Sequence, residues 1–187
     1  MDKKESILEA TLKLTTEIGW VDTSTALIAK EANVGMGTIY RYFQSKEQLF
    51  YDLFIQLKEK LNTLVVSSFS FEKTPYENFE NVVRNLLLYY TENIREFRYL
   101  ETYSDLTSDI PERIDDTLIP LEPIANFLSG SDNSLNLKPL PIDVIFGLIY
   151  GPLVAVANLV HIKKLVLTDP IISDISRACW DSITEKN

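Results

Sequence analysis

Arg41 lies in a short run, Thr38-Ile39-Tyr40-Arg41-Tyr42-Phe43, whose two most apolar members are four residues apart. If Ile39 and Phe43 anchor a helix to a core, a rotation of about 100° per residue turns Arg41 directly outward. Gly37 and Thr38 then lie beside it, and Tyr40 and Tyr42 occupy the two flanks. That surface suits a nucleic acid. A guanidinium can donate two hydrogen bonds to guanine O6 and N7, worth roughly 1–3 kcal/mol of discrimination. Thr38 can meet a base edge or a thymine methyl. Tyr40, Tyr42, Lys46 and the hydroxyl of Thr25 suit phosphates, with helix N-termini adding backbone donors. The plainer alternative is a solvated arginine, with Tyr40 merely wedged against the next helix.

The elements that must hold this surface are written nearby. Ile7, Leu8, Thr11, Leu14 and Ile18 recur at helical spacing, and Gly19 follows as a C-terminal cap. Thr23-Ser24-Thr25 offers an N-cap for a second helix through Leu27, Ile28, Ala29 and Ala32. Asn33-Val34-Gly35 reads as a tight turn, and a third helix runs from about Met36 to Phe43. Ser45 with Gln48 forms a capping-box pattern. It opens a long fourth helix striped by Leu49, Phe50, Leu53, Phe54, Leu57, Leu61 and Leu64.

Ile28-Ala29, the run Val34 to Phe43, and Ser45 to Leu49 closely resemble the DNA-binding region of the tetracycline-repressor (TetR) family. Gly19-Trp20 and Thr23-Ser24-Thr25 sit where that family has its glycine-aromatic pair and threonines. The resemblance covers about residues 6 to 50. It implies DNA contacts from Thr25, Gly37, Thr38, Tyr40, Arg41, Tyr42 and Lys46, and places Gly35 and Met36 at positions that approach DNA. Gly35 departs from the serine or other polar residue frequent in the family, and Met36 can supply only apolar contact.

The rest of the chain sets the class. With 45% hydrophobic and 24% charged residues and only six glycines, it reads as an all-α globular protein. A helix-turn-helix domain, residues 1–46, is expected to join a larger helical effector-binding and dimerisation domain, residues 47–187, with about nine helices in all. Thr74-Pro75-Tyr76-Glu77 starts a helix striped by Phe79, Val82, Val83, Leu86, Leu87, Tyr90 and Ile94. Further helices are expected near Phe97–Leu106, near Pro111–Leu128 (broken by Pro120 and Pro123), from Pro141 to Val166, and from Ile171 to Thr184.

The formal charge of −9 opposes phosphate binding, but residues 1 to 50 carry only −1 of it, leaving −8 to the remainder. Weak non-specific binding follows. One cysteine, Cys179, and one histidine, His161, exclude the usual Cys/His zinc clusters and any internal disulfide. With no signal peptide evident at Met1 to Glu5, a cytoplasmic setting is expected. No cofactor or metal is expected. The apolar stretch Val144 to Val160 sits at the short limit for a membrane span and contains Pro152 and Asn158, so a buried or interface helix is the better reading.

The resemblance also implies an effector pocket among the central helices. Candidate lining residues are Tyr89, Tyr90, Phe97, Tyr99, Tyr103, Phe127, Phe146 and Tyr150, for an apolar or aromatic small molecule. The alternative is that these aromatics simply form core. Gly147, Gly151 and Ala155 recur every four residues as a strip that lets two backbones approach closely. With Ile175, Cys179 and Ile183 of the last helix, they are candidates for a homodimer interface, paired as a four-helix bundle as is usual in the family. Together these readings describe a regulator, commonly a repressor, released from a near-palindromic DNA operator by its effector. An enzyme lacks a recognisable triad, metal set or phosphate loop. A helical carrier with an unused DNA surface is the remaining rival.

Overall fold

The computed structural model describes residues 2–70, 72–107 and 136–185, with backbone alone for 104–107. Eight helices occupy these residues: α1 (Lys3–Ile18), α2 (Thr25–Glu31), α3 (Met36–Tyr42), α4 (Lys46–Ser67), α5 (Pro75–Glu92), α6 (Ile94–Thr107), α7 (Ile142–His161) and α8 (Asp169–Ile183). An isolated antiparallel bridge joins Leu137 to Thr184. The expected helix at Pro111–Leu128 lies outside the described residues. The chain is all-helical in class.

The fold divides into two compact units, with α4 shared between them in sequence at Lys58 and Glu59. The first contains α1, α2, α3, the opening half of α4, and α6 from Arg95. It therefore takes in more chain than the helix-turn-helix alone. Ile7, Leu8 and Leu12 pack with Ile28 and Ala29, with Ile39 and Phe43, and with Leu49, Phe50, Leu53 and Phe54 to form its core.

Local chemistry fixes the short helices. Gly19 ends α1 at φ 89°, a conformation glycine adopts without steric cost. Thr23 donates to the Gly19 carbonyl at 2.6 Å, and Ser24 caps α2 by accepting from the Leu27 amide. Asn33 takes φ 52° in the turn before α3, a left-handed position asparagine tolerates. The capping box expected at Ser45 is only half made. Ser45 accepts from the Gln48 amide at 3.1 Å, but the Gln48 side chain donates forward to Asp52 at 2.5 Å.

The stripe of α1 also differs from expectation. Ile7, Leu8, Thr11, Leu12 and Thr15 are buried, whereas Leu14 is half-buried and Ile18 exposed. Thr11 and Thr15 can be buried because their hydroxyls donate to the carbonyls of Ile7 and Thr11, at 2.7 and 2.8 Å.

The second unit contains the later half of α4 with α5, α7 and α8, the last three in mutual contact. Phe79, Val82, Val83, Leu86, Leu87 and Tyr90 of α5 meet Ile145, Ile149, Leu153 and Ala157 of α7, and Ile172 of α8, in its core. At the start of α5, Thr74 accepts from the Glu77 amide and Glu77 accepts from the Thr74 amide and hydroxyl. These bonds lower the Glu77 carboxyl below its usual range. Ion pairing of Arg84 with Asp169 and a 2.6 Å hydrogen bond from Ser173 to Glu80 tie α5 to α8. The His161 Nε2 donates to the Tyr90 carbonyl at 2.9 Å.

The expected run from Pro141 to Val166 stops as a helix at His161. Lys163 turns left-handed at φ 58°, and the amides of Lys163 and Lys164 close back on Val160 and Leu159. The last carbonyls are thereby satisfied. By length and composition α7 is long and apolar enough to cross a membrane, though its buried positions serve the core just described.

Candidate nucleic-acid interface

The surface of α3 follows from two anchors. Ile39 and Phe43 are each 1% exposed, so the opposite side of the helix is turned out of the core. Arg41 and Gly37 are exposed, Thr38 is half-buried, and Tyr40 and Tyr42 are 53% and 39% exposed. A Cβ placed on Gly35 or Gly37 meets nothing within 4 Å, so the backbone at the start of α3 is open to close approach. Met36 is exposed beside it.

The flanking groups are pre-set. Thr25 and Tyr40 bring their hydroxyls within 3.4 Å of each other, the separation at which two donors can share one phosphate oxygen. Lys46 donates to the Trp20 carbonyl at 3.2 Å and lies 5.2 Å from the Phe50 ring centroid. Its ammonium thus has a fixed seat and two donors still to give. All nine residues expected at the DNA surface lie on α3, at its N-cap, or at the first residues of α2 and α4.

One organiser was legible only as a family marker. Trp20 packs its indole against Phe50 at 4.8 Å, Tyr99 at 4.7 Å and Tyr103 at 5.5 Å. Tyr99 donates its hydroxyl to the Phe50 carbonyl at 2.9 Å, and burial raises this phenol well above its ordinary range, so it remains a donor. Tyr103 stacks on Phe54 at 4.3 Å. The glycine-aromatic pair signals Trp20, but its partners on α6 are some eighty residues away and leave no local pattern.

The aromatics expected to line an effector pocket are distributed over both units. Phe97, Tyr99 and Tyr103 are buried in the core of the first unit, their rings enclosed by protein. Tyr89, Tyr90 and Phe146 are buried in the second unit, and Tyr150 is half-buried there. Phe127 lies outside the described residues. The seven described aromatics therefore belong to two separate packing groups, one in each unit. A groove of about 420 Å³ on the second unit is lined by Glu59, Asn62, Thr63, Val66 and Ser67, and by none of them.

The interface candidates divide as well. Gly147, Gly151 and Ala155 are exposed on α7, and a Cβ on either glycine meets nothing within 4 Å. Val144 and Leu159 extend the same apolar face, at 44% and 40% exposed. Ile175 is half-buried. Cys179 and Ile183, in contrast, face the core of their own unit, because α8 buries the stripe Ile172, Ser176, Cys179 and Ile183. Burial pushes the Cys179 thiol up to about 11. Among the described residues no group of three or more His, Cys, Asp or Glu is placed to hold a metal ion.

Comparison with known proteins agrees with this geometry. Residues 7–53 match the family of bacterial regulatory proteins, tetR family, and residues 50–185 match the tetracyclin repressor-like C-terminal domain. The chain is 39% identical over 102 residues to the uncharacterized HTH-type transcriptional regulator YhgD of Bacillus subtilis, covering 52% of this chain and 47% of that protein. An uncharacterized HTH-type transcriptional regulator of Haemophilus influenzae is 27% identical over 115 residues, 58% of this chain and 62% of the relative. The matches thus span about half to three-fifths of these relatives.

Two solved structures share the fold along nearly the whole chain. A TetR family transcription regulator from Marinobacter aquaeolei superposes with a TM-score of 0.89 at 24% identity, covering 98% of this chain and 96% of that one. One from Shewanella sp. PV-4 gives 0.87 at 26% identity, with full coverage of both chains. With an N-terminal match that runs from α1 through α3 into α4 and a C-terminal match over most of the remainder, the chain belongs to the TetR family of helix-turn-helix DNA-binding transcription regulators, which are not enzymes.

Proposed function

We propose that this protein is a homodimeric, cytoplasmic repressor that binds a near-palindromic operator and is released from it by a small apolar or aromatic effector. The observation that carries the reading is the pair of buried anchors, Ile39 and Phe43, which leave Arg41 and its neighbours turned out to meet a groove. In a two-fold dimer two such helices enter successive major grooves, with half-sites about 34–36 Å apart. Residues 1–46 read the DNA, and residues 47–187 bind the effector and the second copy.

Arg41 reads a guanine, Thr38 a neighbouring base edge, and Gly35, Met36 and Gly37 allow close approach. Thr25, Tyr40, Tyr42 and Lys46 set the register on phosphates. The dimer forms through the exposed face of α7, led by Gly147, Gly151 and Ala155, with Ile175 at its margin. Candidate effector contacts are Tyr89, Tyr90, Phe146 and Tyr150 of the second unit and Phe97, Tyr99 and Tyr103 of the first, with Phe127 outside the described residues. The effector acts by binding more tightly to a state that does not fit the operator, because differential affinity sets the shift.

Selection from a random duplex library tests the proposal. Recovery of an inverted repeat is the expected result. Failure to enrich any duplex at low salt would favour a helical carrier or protein-interaction module instead.

A further inference from the structure

The two tyrosine flanks of α3 differ in equipment. On one, Tyr40 is joined by the Thr25 hydroxyl at 3.4 Å. On the other, Tyr42 has its ring 6.3 Å from Phe43, and above the Phe43 ring, 5.8 Å from its centroid, stands the ammonium of Lys4. The register of α1 puts it there. Ile7, Leu8 and Thr11 form the buried stripe, and Lys4, one turn earlier on the same face, is where that stripe runs past the edge of the core. Phe43 is 1% exposed, so its ring acts as a shelf for the lysine stem while the charged end stays in water.

Charge makes the position consequential. Of the six basic side chains in residues 1–50, Lys13 is neutralised by Glu31 at 2.5 Å, and Lys46 gives one donor to Trp20. Glu5, the acidic neighbour of Lys4, is turned back on the Asp2 amide at 3.3 Å. Lys4 itself is exposed and, among the described residues, takes part in no ion pair. In a chain of net charge −9, each cation held beside the recognition helix is a substantial share of its attraction for phosphate.

We propose that Lys4 is a phosphate-binding residue that, with the Tyr42 hydroxyl, clamps the DNA backbone on the side of α3 opposite Thr25 and Tyr40. The inference rests on the regulator reading above and adds a contact from α1 to it. Lys4 carries no base information. It sets how firmly α3 is seated and how steeply binding depends on salt.

The test measures affinity against salt for the selected operator and for a scrambled duplex, using the full-length protein. Lys4→Met keeps an unbranched, polarizable chain over Phe43, and Lys4→Arg keeps the charge. Methionine is expected to weaken both duplexes by the same factor and leave the melting temperature unchanged. In the dimer it lowers the slope of log K against log salt by about 1.8, so that the affinity ratio between 50 and 200 mM salt shrinks about 12-fold. Arginine restores the slope. An unaltered slope in Lys4→Met, with Arg41→Ala still weakening the operator, overturns the role of Lys4 and leaves the regulator reading standing. If the unsubstituted protein enriches no duplex, both fall together.

Discussion

Helices α3 and α7 each turn one face out of their own unit, and the two faces are chemical opposites. On α3 the exposed positions carry a guanidinium, two phenols and open backbone. On α7 they carry Val144, Gly147, Gly151, Ala155 and Leu159, with no charge along the strip. Both helices rest on ordinary apolar anchors, Ile39 and Phe43 in one case and Ile145, Ile149, Leu153 and Ala157 in the other. The contrast shows that anchoring decides which face is presented, while the outward residues decide what that face can meet. A cationic, hydrogen-bonding face is suited to a polyanion. A smooth apolar face remains costly in water until a similar surface covers it.

Breaking the apolar face should have the largest effect. Gly151→Glu fits the protomer, since nothing stands within 4 Å of the added Cβ, but places a carboxylate in the proposed pairing face. Sedimentation should show a monomer, and operator affinity should fall on the order of 100-fold once two half-sites are no longer gripped together. A dimer of unchanged strength would remove α7 from the interface. Next in size, Arg41→Ala should cost about 1–3 kcal/mol of discrimination at one base pair per half-site, read by competition among single-base operator variants. Loss spread evenly over every sequence would reassign Arg41 to phosphate and blur the contrast between the two helices.

Smaller changes sharpen the comparison by leaving both faces alone. Tyr99→Phe removes the bond to the Phe50 carbonyl beneath the recognition unit and should destabilise the fold by about 1 kcal/mol in urea unfolding, with base preference unchanged. A shifted base preference would mean that α6 helps aim α3. Lys163→Gly relieves a left-handed lysine at the end of α7 and should stabilise by about 0.5 kcal/mol, the released strain being partly offset by the freer unfolded chain. No gain in melting temperature would show that the turn imposes no strain on lysine.

What could be read from the sequence was local. Ser24, Asn33, Ser45 and the Thr74-Pro75-Glu77 start each act within one turn of the chain, and each marks a helix boundary in the structure. The outward aim of Arg41 needed only the spacing of Ile39 and Phe43. Two helices bury a hydroxyl residue that apolar periodicity alone does not mark. Thr15 in α1 and Ser176 in α8 are buried, each hydroxyl satisfied by the carbonyl four residues earlier, at 2.8 Å in both cases. With Thr15 inside, Leu14 is left half-buried and Ile18 exposed, and with Ser176 inside, the same face of α8 carries Ile172, Cys179 and Ile183 into the core. The place of α6 in the first unit was out of reach for another reason: Tyr99 and Phe50 are 49 residues apart, and a contact of that span has no periodic signature.

The burial of Cys179 bears on how copies of the chain stay together. A single thiol that is held protonated by its surroundings and faces its own core has no ready route to a cross-link with another chain. For the pairing proposed through α7, that leaves reversible association alone. Below the dimerisation constant, operator occupancy then rises with the square of the protomer supply. A modest change in how much of this protein a cell makes would act as a steep control on the genes beneath the operator, before any effector is present.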